Sequence, residues 1–173
     1  SVRDYSDGSE HIINKMKPYT LSYTQKEAGF KVETKEHVLE VEMSPITYEL
    51  TSILKKNLVV EGKDDVILAD TSVKLMMKLH QMYSGTVKFE SGNSMILDLT
   101  KAEFINDNFG DTKIGIFYKF KEELNALKEV YGDDLCTDLE EFDTTNKTIA
   151  LQIVSGREGI SLRKADALVY YNI

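Results

Sequence analysis

The residues best suited to chemistry lie near the end of the chain, in Gln152-Ile153-Val154-Ser155-Gly156-Arg157-Glu158-Gly159-Ile160-Ser161-Leu162. An apolar strand runs here into a turn punctuated by Gly156 and Gly159, and a short helix is expected to begin near Glu158. A helix N-terminus carries unpaired N–H groups and about half a positive charge, so such a turn can receive a phosphate. The carboxyl ends of parallel strands are also where open α/β sheets bind ligands. The same spacing fits a plain tight turn equally well, because two glycines three residues apart can be purely structural. Little else suggests chemistry. His11, His37 and His80 are scattered, and neither among themselves nor with Cys136 do they form a metal-binding spacing. No Ser-His-Asp or Cys-His constellation is evident, Glu140-Glu141 reads as a solvated face, and Met76-Met77 reads as core packing.

The elements that must position this turn follow from pattern, and they divide the chain near residue 92. In residues 1–92 a short helix is expected over residues 9–16, interrupted by Pro18. Glu36 to Met43 alternates apolar and charged residues, as a half-exposed strand does. Ser44-Pro45 starts a helix with serine as cap and proline at the first position, and Ile46, Leu50, Ile53, Leu54 and Leu58 form its expected buried stripe. Thr71 caps a second helix with Val73, Met76, Met77 and His80 on one face, closing near Gly85. Thr86–Glu90 and Ser94–Leu97 flank Ser91-Gly92-Asn93 as a hairpin.

Residues 93–173 alternate strand and helix. Thr100-Lys101-Ala102-Glu103 is a capping box. Ile114–Tyr118, Thr148–Val154 and Ala167–Tyr171 are strands, the first followed by a helix with Phe120, Leu124, Leu127 and Tyr131 on one face and Gly132 at its end. Apolar strands separated by helices imply a parallel sheet covered on both faces. The last strand is of the buried kind yet has no later element to cover one flank, as expected of a piece of a longer protein. The fold class is thus α/β, preceded by a mainly helical segment with a short strand or hairpin.

Composition narrows the classes. With 42% hydrophobic and 29% charged residues, the chain belongs with folded globular domains. No apolar run approaches the ~20 residues that span a bilayer, and the polar start Ser1-Val2-Arg3-Asp4-Tyr5 gives no sign of a signal peptide. The single cysteine, Cys136, rules out an internal disulfide and suits a reducing compartment, so a cytoplasmic location is expected. The net charge of −8 argues against a free-standing nucleic-acid binder. Much of that acid lies between Lys121 and Asp143, where Glu122, Glu123, Glu129, Asp133, Asp134, Asp138, Glu140 and Glu141 read as a solvated acidic flank. Such a flank can coexist with a binding surface elsewhere, because charge is screened beyond about 8 Å at physiological salt.

The stretch 152–171 resembles motif V and its following strand in the second RecA-like lobe of superfamily 2 helicases, in their Swi/Snf-like branch. Gly156 and Gly159 match two of the motif's glycines, Ser161 stands in its Asn place, Leu162 matches, and Ala165-Asp166 follows. Arg157 replaces the middle glycine, and Gln152-Ile153 replaces a Ser-Thr pair. Lys113 to Phe120, continuing to Leu124, resembles motif IV. Thr34 to Tyr48 resembles the family's bridge between lobes, and Lys78 to Tyr83 its later helix; Ser22-Tyr23-Thr24-Gln25 stands where a basic pair is usual. The likeness covers about residues 10–173.

The resemblance implies a helical inter-lobe segment, 1–92, and a truncated RecA-like lobe with a parallel sheet, 93–173. It implies a fragment of an ATP-dependent DNA helicase or translocase of the kind found in a phage or mobile element. DNA or RNA and the first RecA-like lobe would be its partners. Gly156, Arg157, Glu158, Gly159 and Ser161 would lie near nucleotide and phosphate, and Tyr118, Lys119 and Ser155 along the nucleic-acid backbone. ATP and Mg²⁺ belong to the intact motor only. The chain has no Gly-x-x-x-x-Gly-Lys-[Ser/Thr] loop, no Asp-Glu box and no arginine-bearing motif VI, so no catalytic or metal-binding residue is assigned within it. The alternative is a non-catalytic α/β module that meets a protein partner through the acidic segment.

Overall fold

The computed structural model describes residues 20–26, 36–153 and 162–172. Its main sheet contains β1 (Thr20–Gln25), β2 (His37–Glu40), β7 (Ile114–Tyr118), β8 (Leu135–Cys136), β9 (Thr148–Gln152) and β10 (Ala167–Tyr170), in the order β2-β1-β10-β7-β9-β8. Strands β10, β7, β9 and β8 run parallel, with Ile116 opposite Val169 on one side and Ala150 on the other. β1 is antiparallel to both β10 and β2. The sheet is therefore mixed but mostly parallel, the expected α/β class, and compatible with an incomplete RecA-like domain. The expected short helix over 9–16 lies outside the described residues.

Both faces of the sheet are covered. On one, Ile114, Ile116 and Val169 pack with Ala102 and Ile105 of α3 (Thr100–Phe109) and with Ala126 and Leu127 of α4 (Lys121–Tyr131). On the other, Cys136 and Ile149 pack with Phe142 of α5 (Leu139–Thr144) and with Leu162. Gly115, in the central β7, is what lets that second layer close: a Cβ there would stand 2.2 Å from Leu162 Cδ1. A separate apolar cluster joins α1 (Pro45–Asn57) and α2 (Ser72–Tyr83) to two hairpins, β3 (Val59–Glu61) with β4 (Val66–Leu68) and β5 (Thr86–Lys88) with β6 (Ser94–Ile96).

Several expectations are corrected. The free flank foreseen for the last strand does not exist, because β1, from the start of the chain, pairs with it through Ser22 to Gln25. Helix α1 buries Thr47, Thr51 and Leu54, while Ile46 is 42% exposed. The polar stripe turns inward to meet a buried carboxylate: Thr47 Oγ1 donates to Asp98 Oδ2 at 2.7 Å, and Thr51 Oγ1 to the Thr47 carbonyl at 2.8 Å. Helix α2 is capped by Thr71 as expected, but it buries Leu75, Leu79 and Met82 and leaves Val73 and Met77 exposed. Both stripes carry apolar residues, so periodicity alone favours neither. Thr100 is not the cap of α3; that helix starts one residue earlier, and Asp98 Oδ1 accepts from the Thr100 N–H at 2.9 Å and its hydroxyl at 2.6 Å.

Candidate functional site

Three parallel strands bring their carboxyl ends to residues 118–123. The Tyr118 carbonyl, at the end of β7, accepts from the Ile153 N–H at 2.7 Å, and the Lys119 carbonyl from Gln152 Nε2 at 3.1 Å, which ties down the end of β9. Asn172, just past β10, donates to both oxygens of Glu123 at 2.9 and 2.7 Å. Glu123, the third residue of α4, also accepts from the N–H groups of Lys119 and Phe120 at 2.8 and 2.7 Å. A carboxylate reaching back to the N–H groups before its helix satisfies donors that the helix cannot and complements the positive end of the helix dipole.

Glu123 is fully buried and Glu122 nearly so, which corrects their reading as part of a solvated flank. The surroundings are polar as well as apolar. Lys101, 3% exposed, donates to the carbonyls of Thr20 and Tyr171 at 3.0 Å each. Burial brings its ammonium down to about 8, against the opposing pull of Glu123. His80 meets Phe120 edge to face at 5.2 Å and hydrogen-bonds Asn172. Burial, with the nearby charges of Lys119 and Lys101, brings His80 down to about 4, so its ring is neutral at neutral pH.

Of the residues expected to meet nucleic acid, Lys119 is exposed, with its Nζ 5.5 Å from the centre of the Phe120 ring. Tyr118 is 8% exposed and packs in the core, and burial with the Glu123 charge raises its phenol. Ser155, Gly156, Arg157, Glu158, Gly159 and Ser161 lie outside the described residues. The flanking residues are held against the same strand: Ile153 bonds Tyr118, and Leu162 packs on Gly115. Glu123, Asn172 and Lys101 escaped the sequence reading. The one available signal was an acid three positions after Phe120, at the start of a helix. Among the described residues no group of three His, Cys, Asp or Glu side chains could hold a metal ion, and no helix is long and apolar enough to cross a membrane.

Glu123→Ala should destabilise the fold by about 3 kcal/mol, since it strands two N–H groups and the Asn172 amide in a buried place. Urea denaturation reads this as a lower midpoint with an unchanged slope. A midpoint within error of the parent would show that these bonds are replaced by water.

Compared with known proteins, the chain matches no family model, no curated protein and no solved structure.

Proposed function

We propose that the chain is a piece of an ATP-driven nucleic-acid motor, contributing part of a second α/β lobe that closes on nucleotide and backbone phosphate in the intact protein. The observation that carries this reading is the parallel placement of β9, β7 and β10. It sets β9, which precedes the Gly156–Gly159 stretch in the sequence, beside β7, whose end leads into exposed Lys119. Motif order along the sequence supports the same reading. In that motor ATP and Mg²⁺ would be held chiefly by the partner lobe, which supplies the phosphate loop and acidic box. A second reading, a protein-interaction module, draws support from Val73 and Met77, exposed one turn apart on α2, and from the net charge of −8.

The isolated chain is expected to release no phosphate from ATP with Mg²⁺ and nucleic acid, and to bind oligonucleotides only at low salt. An exposed helix terminus contributes roughly 0.3–1 kcal/mol to an anion, far short of the ~8 kcal/mol of micromolar affinity. The net charge repels a polyanion, and moderate salt removes what attraction the local lysines supply. Phosphate release beside a fluorescence titration at two salt concentrations tests this. Sustained turnover above a heat-killed control would refute the fragment reading, and no binding even at low salt would favour the interaction module.

A further inference from the structure

His80 stands at the seam between two apolar clusters. Its neighbours on α2, Leu79 and Met82, pack with the hairpins in one cluster, while the sheet with α3 and α4 forms another. The His80 ring reaches across, meeting Phe120 edge to face at 5.2 Å and hydrogen-bonding Asn172. Phe120 and Asn172 lie just past β7 and β10, so one side chain of α2 touches two strand ends at once. The bond has a fixed sense. The Asn172 NH₂ is given to both oxygens of Glu123, at 2.9 and 2.7 Å, so the amide offers His80 its carbonyl oxygen and the imidazole donates. The neutral ring supplies that one N–H, and a second proton adds only charge.

The groups around the ring oppose that charge. The connection from β7 to α4 brings the ammonium of Lys119, and α3 brings the buried ammonium of Lys101. The carboxylate in this network, Glu123 of α4, has its oxygens engaged by the Asn172 amide and by the N–H groups of Lys119 and Phe120. A protonated His80 therefore gains by leaving the strand ends for water, where neither burial nor the two lysines act on it. The two parts stay joined elsewhere, as by Ser94 Oγ donating to Glu122 at 3.1 Å, so such a release is local.

We propose that His80 is a proton-operated latch: neutral, it holds α2 against Phe120 and Asn172, and protonated, it lets go and loosens the Glu123 network at the ends of β7 and β10. The inference does not depend on the motor reading, because it rests on the contacts at the seam. Held closed, the ring takes its second proton only near pH 4, whereas a freed ring takes it near the ordinary value of about 6.5. The latch is thus at full strength above about pH 6.5 and weakens as pH falls toward 4. Between pH 7 and 5 the released state should gain about twentyfold in population. The test is NMR of the purified chain. The His80 ring shifts should stay flat as pH is lowered through 6.5. Exchange of the Lys119 and Phe120 amide protons, measured against the intrinsic rate at each pH, should quicken about twentyfold from pH 7 to 5. Ala150, inside the sheet, should keep its protection. His80→Gln retains a donor for Asn172 but does not titrate, so in that variant the acceleration should vanish. Titration of His80 near 6.5 in the parent chain would overturn the latch whether or not the variant folds. The same acceleration in folded His80→Gln would place the effect on carboxylates, and equal loss at Ala150 would make it global acid unfolding; either result overturns it too.

Discussion

Gly85→Ala is expected to cost the fold about 3 kcal/mol or more, whereas Gly92→Ala, in the turn between β5 and β6, should cost only about 1–2 kcal/mol. Both glycines have φ in the left-handed region, +88° and +95°. They differ in what an added Cβ would meet. At Gly92 nothing lies within 4 Å, so alanine brings only the backbone strain of that φ. At Gly85 the Cβ would stand 2.2 Å from the Asp98 carbonyl oxygen and 3.2 Å from its carbon. That backbone cannot retreat cheaply. The Gly85 carbonyl accepts from the N–H groups of Leu97 and Asp98 at 2.8 and 3.1 Å, so the two segments are already tied together.

The Asp98 side chain ties them further, accepting from the Ser44 N–H at 2.8 Å, from Thr47 and from Thr100. Burial alone would raise its carboxyl, yet the hydrogen bonds from Thr100, Thr47 and Ser44 carry it below the ordinary carboxylate value. A shift of Asp98 would therefore disturb the starts of α1 and α3 as well as the end of β6. With a urea slope of about 1–3 kcal/mol/M, the midpoint of Gly85→Ala should fall by 1 M or more, well beyond that of Gly92→Ala. Equal shifts in the two variants would mean that the Asp98 joint yields, contrary to this account.

The same joint shows what could and could not be read from the sequence. Signals that act within a few residues were legible. Ser44-Pro45 starts α1, Thr71 caps α2, Gly92 turns the hairpin, Gly132 ends α4, and β7, β9 and β10 stand out as apolar runs that pair in parallel. What depended on a partner far along the chain was not. Thr47 and Thr51 face inward because Asp98, 51 residues beyond Thr47, waits there. β1 reads Thr-Leu-Ser-Tyr-Thr-Gln, with one large aliphatic residue, and becomes a strand because β10 and β2 offer it edges on both sides. The inward turn of Glu123 hinges on Asn172, 49 residues away. Of the candidate site, the strand ends and exposed Lys119 were legible. The buried polar set of Glu123, Asn172, Lys101 and His80 was not, because nothing local distinguishes a buried acid from a solvated one.

The central claim, that this chain serves an ATP-driven motor, is tested most directly by nucleic-acid-stimulated phosphate release from the full product of the gene that encodes it. A backbone that approaches phosphate, or that needs a glycine's freedom, does not tolerate a β-branched side chain, so Gly159 is the position to change. The account predicts ATP hydrolysis that rises when nucleic acid is added, and a fall of at least about tenfold in folded Gly159→Val, equivalent to about 1.4 kcal/mol of transition-state stabilisation. Unchanged turnover in that variant would mean that Gly159 does not serve phosphate. A full-length product that hydrolyses no ATP with any nucleic acid would contradict the claim itself.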